Sequence, residues 1–142
     1  MEKTLIITLI AIGLILSSCS STEETTKKEL KIIKTASGLQ YSDILLGKGE
    51  PVKSGQKLTV HYVGTYLDGT KFDSSRDRNQ PLIFTIGNGE FGKGWEEGIM
   101  GMRVGGRRKL IIPPDLSYAK GSSGKLTANT TLIFEIELLD AK

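Results

Sequence analysis

Residues 60–81, VHYVGTYLDGTKFDSSRDRNQP, form the stretch from which the fold of this chain can be inferred. The stretch opens as a β-strand, because Leu58, Val60 and Tyr62 alternate with Thr59 and His61. Side chains of a strand point to opposite faces with a period of two, so this alternation places one face on an apolar core. Residues 57–67 are therefore predicted to be the central strand of a sheet.

A turn and a second strand follow at once. Asp68-Gly69 is a strong turn motif, because glycine adopts positive φ at no steric cost. Residues 70–73 are predicted to form the returning strand, which carries Phe72 and a carboxylate at its end. A polar, charge-rich loop occupies residues 74–80 and ends before a proline. One hairpin thus presents an aromatic ring, a carboxylate and an arginine-containing loop.

Further motifs extend this pattern along the chain. They are GWEEG at residues 94–98, PDLSY at residues 114–118 and LIFEIELL at residues 132–139. Together with VHYVG, DG and FDSS of the hairpin, they resemble the FKBP family of peptidyl-prolyl isomerases in order and in spacing. The resemblance spans about residues 38–140 and implies that family's fold and activity.

The remaining segments predict an α+β domain. Trp95, Ile99 and Met102 recur at helical spacing, which predicts one short helix over residues 95–102. Period-two patterns or short apolar runs predict further strands within residues 30–34, 38–46, 81–86, 106–112 and 130–139. We expect an antiparallel sheet of five or six strands, curved around the helix, since its inner face needs cover.

Composition excludes several classes of function. The chain has 142 residues and a net charge of +3, with a sequence pI near 9.0, and its basic residues are scattered. Nucleic-acid binding requires a contiguous basic face, so we expect none. One cysteine and one histidine permit neither an internal disulfide nor a Cys/His metal cluster. His61 is interpreted as a structural residue, and no cofactor or metal is expected.

The first 29 residues indicate export and a lipid anchor. Residues 1–18 have a basic start and a 12-residue apolar run, which is too short to span a bilayer and is typical of a signal peptide. Leu16-Ser17-Ser18-Cys19 resembles a bacterial lipobox, in which the cysteine becomes the lipidated N-terminus. An ordinary cleavable signal is the alternative. Residues 19–29 then form a flexible tether, and residues 30–142 form the isomerase domain.

This N-terminus also predicts where the protein resides. Lipidation would attach it to the membrane through Cys19, in the cell envelope. Ser20 rather than Asp follows the cysteine, which by resemblance to Gram-negative sorting rules implies an outer membrane facing the periplasm. In a host without an outer membrane, the outer face of the cell membrane is expected. The partners expected are proline-containing polypeptides, macrolide inhibitors and the membrane, and the protein is expected to be a monomer.

Prolyl isomerisation suits a chain without an evident nucleophile. No serine has a histidine at a spacing that suggests activation, and no glycine pattern matches a nucleotide-binding loop. Rotation about an X–Pro bond needs no covalent step, and its barrier of about 18–20 kcal/mol reflects amide resonance. A pocket that binds the twisted amide better than either planar form accelerates this rotation.

The family resemblance implies the site residues. Asp73 is the carboxylate near the rotating carbonyl, and Tyr118 is the hydroxyl donor at the rim. Substrate binding is implied for Tyr62, Phe72, Arg78, Leu82, Phe91, Gly92, Trp95, Leu126 and Phe134. Trp95 forms the floor and Arg78 pairs with Asp73 and Tyr62.

The sequence departs from the family at two places. Phe91-Gly92 stands where many relatives have Val-Ile, and residues 119–129 replace a loop that usually contains two prolines. Alternatives therefore stay open at this point. The aromatic residues are also compatible with an ordinary core, Asp73 with a turn residue that caps its own loop, and Tyr118 with a rim aromatic beside a turn. A lipid-anchored module that binds proline peptides with little isomerase activity is the alternative function.

Overall fold

A computed structural model describes residues 30–117 and 130–142 of the chain. Within these residues there are seven strands, one α-helix and a short 3₁₀ helix at Pro114–Leu116. The helix α1 spans Lys93–Ile99. The strands, in chain order, are β1 Ile33–Lys34, β2 Gln40–Leu45, β3 Lys57–Tyr66, β4 Lys71–Ser74, β5 Leu82–Thr85, β6 Arg107–Ile112 and β7 Leu132–Ala141.

The seven described strands form a single antiparallel sheet in the order β1-β2-β6-β7-β3-β4, and β5 also pairs with β3. The predicted fold class, an antiparallel sheet with one short helix, is confirmed. The described sheet has seven strands rather than five or six, because the two-residue β1 and the short β4 and β5 all pair with longer neighbours. Each of these short strands lies in a segment predicted as a strand, so only its membership of the one sheet was not apparent, because pairing between distant segments leaves no local pattern.

Strand β3 is the organising element, as its sequence indicates. It pairs with β7 from Leu58 to Tyr66, and β4 and β5 divide its other edge between them. Leu58 and Val60 are fully buried, and Tyr62 is 8% exposed. The predicted alternation is therefore confirmed, and it fixes which face of β3 meets the core.

The predicted turn between β3 and β4 is also confirmed. Gly69 has φ +87°, a conformation that side-chain-bearing residues rarely adopt. The Thr70 N–H donates to Asp68 Oδ1 at 2.8 Å, and the Gly69 N–H donates to Tyr66 O at 3.0 Å. Because Thr70 is engaged in the turn, β4 begins at Lys71, one residue later than predicted.

The helix covers the inner face of the sheet. Trp95, Ile99 and Met102 are all buried, as their spacing predicts, but α1 begins at Lys93 and ends at Ile99 rather than spanning 95–102. Two glycines explain how closely it approaches β6. A Cβ on Gly94 would lie 2.6 Å from Ile112 Cγ2, and one on Gly98 would lie 2.5 Å from Leu110 Cδ1.

Three consecutive basic side chains of β6 point to alternate faces of the sheet. Arg107 and Lys109 point outward, whereas Arg108 points inward and is 7% exposed. The Arg108 guanidinium stacks over the Tyr41 ring at 4.4 Å, and its Nε donates to Asp43 Oδ1 at 2.6 Å. Its NH1 group donates to Gly98 O at 2.9 Å and to Met100 O at 3.4 Å. Arg108 thus supplies donors to carbonyls at the C-terminal end of α1.

The core lies between α1 and the inner faces of the central strands. Strand β7 contributes four buried residues to it, and β3 contributes three. The buried apolar residues are Leu39, Val52, Leu58, Val60, Tyr62, Phe84, Ile86, Trp95, Ile99, Met102, Leu110, Ile112, Leu132, Phe134, Ile136 and Leu138. Burial of this set is the main stabilising contribution to the domain.

Several predictions fall outside the described residues, namely those of the signal peptide at residues 1–18, the lipidated Cys19, the tether at residues 19–29 and the site residues Tyr118 and Leu126. The loop at residues 119–129 also lies outside them. Among residues 30–117 and 130–142, no helix is long and apolar enough to cross a membrane. The same residues contain no cluster of three or more potential metal ligands.

Candidate active site

Trp95 lies at the centre of a cluster of aromatic rings. Its ring centroid is 5.2 Å from that of Phe134, 5.5 Å from Tyr62, 5.3 Å from Phe91 and 5.8 Å from Phe84. These rings come from β7, β3, the segment before α1 and β5. The helix therefore presents its tryptophan to rings from every side, which produces an apolar floor.

A glycine on β3 makes room for the next ring of the cluster. A Cβ on Gly64 would lie 2.6 Å from Phe72 Cζ and 3.0 Å from Phe134 Cε1. With hydrogen there, Phe72 packs edge-on against Phe134 with centroids 5.6 Å apart, and it also contacts Tyr66 at 4.9 Å. The glycine of the VHYVG motif thus has a packing role that brings Phe72 to the cluster.

A polar corner adjoins these rings. The Tyr62 hydroxyl donates to Asp73 Oδ2 at 2.5 Å, and Arg78 NH1 forms an ion pair with Asp73 Oδ1. Arg78 NH2 also donates to the Tyr62 hydroxyl at 3.1 Å, and the Ser74 N–H donates to Asp73 Oδ1 at 2.8 Å. The structure therefore brings Tyr62, Asp73 and Arg78 into mutual contact, as the resemblance implies.

The electrostatics of this corner favour an ionised carboxylate. Partial burial by itself raises the pKa of Asp73, but hydrogen bonds from Tyr62 and Arg78, the positive charge of Arg78 and the Ser74 N–H outweigh it. The pKa of Asp73 consequently lies below its usual value. Burial raises the pKa of the Tyr62 hydroxyl, and its hydrogen bond to Asp73 acts in the same direction, so Tyr62 keeps its proton.

Ser75 fixes the position of Tyr62, and sequence analysis missed it. Ser75 is fully buried, its N–H donates to Tyr62 O at 3.0 Å and its Oγ accepts from the Tyr62 N–H at 2.8 Å. His61 Nδ1 lies 2.9 Å from the same Oγ. The interpretation of His61 as a structural residue agrees with this contact. A serine in a polar loop gives no sequence signal of burial, so only the two adjacent serines of FDSS could have suggested it.

The segment before α1 has a backbone conformation at position 92 that an isoleucine could not readily adopt. Phe91 packs on Trp95 with ring planes 33° apart and contacts Phe84 at 5.0 Å. Gly92 has φ +85° and ψ 162°, a conformation confined almost entirely to glycine. Glu96 Oε1 accepts the Gly89 N–H at 2.6 Å and thereby ties the preceding loop to the helix. Phe91 supplies the apolar wall here, while Gly92 sets the turn.

Comparison with known proteins identifies this arrangement. The family model of the FKBP-type peptidyl-prolyl cis-trans isomerases matches residues 48–139, which is more than half of the chain. The chain belongs to the FKBP-type peptidyl-prolyl cis-trans isomerases. The predicted family and the predicted rotamase activity are both confirmed.

Similar FKBP proteins occur in animals and bacteria. The chain is 54% identical over 104 residues to peptidyl-prolyl cis-trans isomerase Fkbp12 of Drosophila melanogaster, an alignment that covers 72% of this chain and 96% of the relative. It is 50% identical over 103 residues to the FK506-binding protein of Neisseria meningitidis, with 72% and 94% covered. The crystal structure of AtFKBP13 superposes with a TM-score of 0.71 at 38% identity, covering 79% of this chain and 99% of that one.

Not all the implied FKBP site residues can be located. Leu82 is half-buried, opposite Val60 in the sheet, and packs against the core beside the cluster. Tyr118 and Leu126 lie outside the described residues, and so does Cys19. Phe84 is an additional ring of the cluster, which the period-two pattern of β5 places inward without indicating its contact with Trp95.

The described part of the candidate site offers binding rather than covalent chemistry. Its floor is aromatic, and its one carboxylate is already hydrogen-bonded and ion-paired. His61 lies on the opposite face of β3 from Tyr62, where it contacts Ser75. Such an arrangement can hold an apolar ring beside a fixed charge, which suits rotation of a prolyl amide.

Proposed function

We propose that the X–Pro bond rotates over Trp95, with the proline ring enclosed by Tyr62, Phe72 and Phe134. The supporting observation is that the Tyr62–Asp73–Arg78 corner directly adjoins the aromatic cluster. A twisted amide has lost its resonance and is less polar than a planar one, so an apolar floor favours it. Differential binding of this kind lowers the barrier without a covalent intermediate.

The proposed role of Asp73 is electrostatic. Its ionised carboxylate repels the partly negative oxygen of a planar amide more than the ketone-like oxygen of a twisted amide. Tyr118 is proposed as a hydroxyl donor to the substrate at the rim. Arg78 and the Tyr62 hydroxyl hold the Asp73 charge in place, because both bind it directly.

Substitution of the two proposed catalytic residues tests this site. Asp73→Val and Tyr118→Phe are each expected to lower kcat/KM for a short X–Pro peptide about tenfold, which equals about 1.4 kcal/mol of transition-state stabilisation. The measurement is a rotation assay of the purified protein, with circular dichroism to verify folding. Asp77→Val is the matched control, since Asp77 lies in the same loop but pairs with Lys71. Unchanged turnover in both variants would refute the assignment.

We also propose that macrolides of the FK506 type occupy the same aromatic floor. Relatives covered almost completely by this chain bear the name FK506-binding protein. Phe91 contacts both Trp95 and Phe84 and provides a wall on the side where Gly92 has no side chain. FK506 is therefore expected to inhibit the same rotation assay competitively.

We further propose that the protein acts on exported or envelope proteins while anchored through a lipidated Cys19. The lipobox-like Leu16–Cys19 segment, the position of the sole cysteine and the polar segment after it support this proposal. The end-to-end distance of a flexible tether is about 5–6 Å times the square root of its number of residues. This tether would therefore hold the domain roughly 15–20 Å from the membrane. In a host with an outer membrane, residence there facing the periplasm is proposed.

Metabolic labelling tests the anchor. In the bacterial host, wild-type protein is expected to incorporate labelled palmitate and to sediment with membranes, whereas Cys19→Ser is expected to lose both properties, because the thiol that carries the lipid is gone. Ser21→Ala is the control, since it lies outside the lipobox. Equal labelling of the Cys19→Ser and wild-type proteins would exclude this anchor.

A further inference from the structure

The outer face of the sheet carries a groove, most of which lies on the opposite side from the aromatic cluster; at the β3–β4 turn it reaches Tyr66, whose ring contacts Phe72. Val63 and Ile133 form its floor, Leu67 lies at its rim, and Arg107, Lys109 and Glu135 line it from β6 and β7. Its volume is about 600 Å³, within the range of about 300–1,000 Å³ typical of ligand pockets. Successive residues of a strand face opposite sides, so Val63 and Ile133 point away from Tyr62 and Phe134.

The charges in this outer-face groove do not balance. Glu135 pairs with Arg107, and Glu137 pairs with Arg76 from the loop after β4. Lys109 lies directly across from Glu135 in the sheet, yet it forms no ion pair within residues 30–117 and 130–142. Three cations therefore meet two carboxylates on this face, and one positive charge remains for a ligand.

The ion pairs of the groove can also be exchanged at small cost. The side chains of Arg107 and Glu135 are 39% and 41% exposed. Exposed ion pairs contribute little to stability, so an incoming carboxylate can compete for Arg107. Within the described residues, the buried Nε of Arg107 has no acceptor. The cationic side of the groove is thus incompletely satisfied.

An apolar surface lies beside this charge. Leu67 is 68% exposed at the turn between β3 and β4, and the half-buried Val63 and Ile133 continue from it into the groove. Glu135 and Glu137 lie between the cations, which disfavours a polyanion such as nucleic acid, because successive phosphates would meet them. An isolated carboxylate next to an aliphatic side chain fits both features.

We propose that the outer-face groove is a second polypeptide-binding site, which takes an extended segment with an acidic residue beside an aliphatic one. The acidic residue binds Lys109 and Arg107, and the aliphatic residue packs on Leu67, Val63 and Ile133. Because the catalytic cluster lies on the other face, one substrate chain can occupy both sites. The groove raises the local concentration of the chain at the catalytic site through multivalent binding.

The test uses a fluorescein-labelled, proline-free peptide in which Asp and Glu alternate with Leu and Val. Fluorescence anisotropy measures its binding to the purified protein at low and at physiological ionic strength. Lys109→Glu is expected to weaken binding about tenfold, and Lys109→Gln about fivefold, since each removes a charge contact. Binding to wild-type protein should also weaken with added salt.

Three controls make the test decisive. Lys57→Glu makes the same charge change on β3, six residues or about 20 Å from Val63, and should bind the peptide as wild type does. A peptide with Lys in place of Asp and Glu should not bind. Thermal unfolding verifies that the Lys109 variants are folded, and the milder Lys109→Gln serves if Lys109→Glu is not.

Several outcomes would overturn the proposal. Equal peptide affinity of wild-type and Lys109→Gln protein would exclude the groove. Competitive inhibition of short X–Pro peptide rotation by the acidic peptide would place that peptide in the catalytic site instead. Tighter binding of a single-stranded oligonucleotide than of the peptide would make the groove a phosphate-binding surface. Failure of the acidic peptide to bind wild-type protein at all would refute the site while leaving the isomerase function intact.

Discussion

At the level of single residues, opposing effects act on the pKa of Asp73. Burial alone disfavours its charge, whereas Tyr62, Arg78 and the Ser74 N–H all stabilise it. The net effect is a pKa below the usual value, so the carboxylate is ionised wherever the protein is folded at neutral pH. The end of β4 and the loop after it thus supply the charge, a backbone donor and the counterion.

Lowered pKa values have a predictable effect on stability. The folded protein binds the Asp73 proton more weakly than the unfolded chain, whose pKa is about 3.9, so stability rises with pH in this window. The contribution is complete above the unfolded pKa and disappears as the pH falls through the lower, folded pKa. The difference in Tm between wild type and Asp73→Asn should therefore be largest near pH 6 and shrink towards pH 2.

Calorimetry of both proteins across this pH range provides the measurement. Asp77→Asn is the control, since Asp77 is exposed and pairs only with Lys71 on the described surface. A Tm difference for Asp73→Asn that stays constant from pH 6 to pH 2 would show that its charge is not what stabilises the corner.

Some residues of the candidate site could be predicted from the sequence, and others could not. The contact of Arg78 with Asp73 and Tyr62 could be anticipated, because the family resemblance carries it. Ser75 could not, since a serine in a polar loop gives no indication that its hydroxyl accepts a strand N–H. The backbone of Gly92 could not be foreseen either, because a φ of +85° depends on how the helix is approached.

At the level of elements, helix α1 depends on the sheet for its stability. It has seven residues, its N-cap Gly92 offers no side-chain acceptor and its last turn has no basic residue. Isolated helices of this length are unstable in water. Packing of Trp95 and Ile99 and the donors of Arg108 compensate for these deficits.

Replacement of Arg108 tests this dependence. Arg108→Lys is expected to reduce the free energy of unfolding by about 1–3 kcal/mol, because a lysine cannot bind Asp43, reach Gly98 O and stack on Tyr41 together. Urea denaturation gives the value. Arg103→Lys, whose guanidinium makes a single exposed contact with Gly49 O, should change it by less than about 0.5 kcal/mol. Equal effects of the two substitutions would contradict the role of Arg108.

Element types were more predictable than element boundaries. The alternation of β3 predicted its extent to within a residue, because ten residues give five inward positions. The helix was placed two residues late, since Lys93 and Gly94 give no apolar signal. Gly94 belongs to the helix because the backbone must approach β6 closely, which only the three-dimensional packing reveals.

At the level of the whole molecule, β7 completes the domain. It lies between β6 and β3 and buries Leu132, Phe134, Ile136 and Leu138. Its end is held by reciprocal backbone hydrogen bonds between Lys57 and Lys142 of 2.8 and 3.0 Å. The two halves of the sheet are therefore joined by the last strand along the chain.

Two deletions of five residues, one at each end of the described domain, should consequently reduce its stability to different extents. Removal of residues 138–142 takes away the fully buried Leu138 and the pairing with Leu58, and it is expected to unfold the domain or lower its Tm by more than about 10 °C. Deletion of residues 30–34, which removes only exposed side chains and the two-residue β1, should cost far less. Near-ultraviolet circular dichroism would distinguish the two, and similar losses would contradict the central role of β7.

The order of the strands shows the limit of sequence reasoning. Periodicity identifies β6 and β7 as strands but does not say which neighbours they take, since pairing between distant segments leaves no local pattern. The strand and helix patterns and the resemblance to the FKBP family indicated the fold class, but the order of the strands was not predicted. The outer-face groove was not anticipated, because it is made by residues from three strands that are far apart in sequence.

The position of β7 also bears on how the protein is made. During synthesis at about 5–20 residues per second, β3 and β6 emerge well before the strand that separates them. Until residues 132–141 have left the ribosome, the facing edges of β3 and β6 have no strand between them to accept their backbone hydrogen bonds. The sheet can therefore close only after this strand has been released, and until then the nascent domain remains accessible to chaperones.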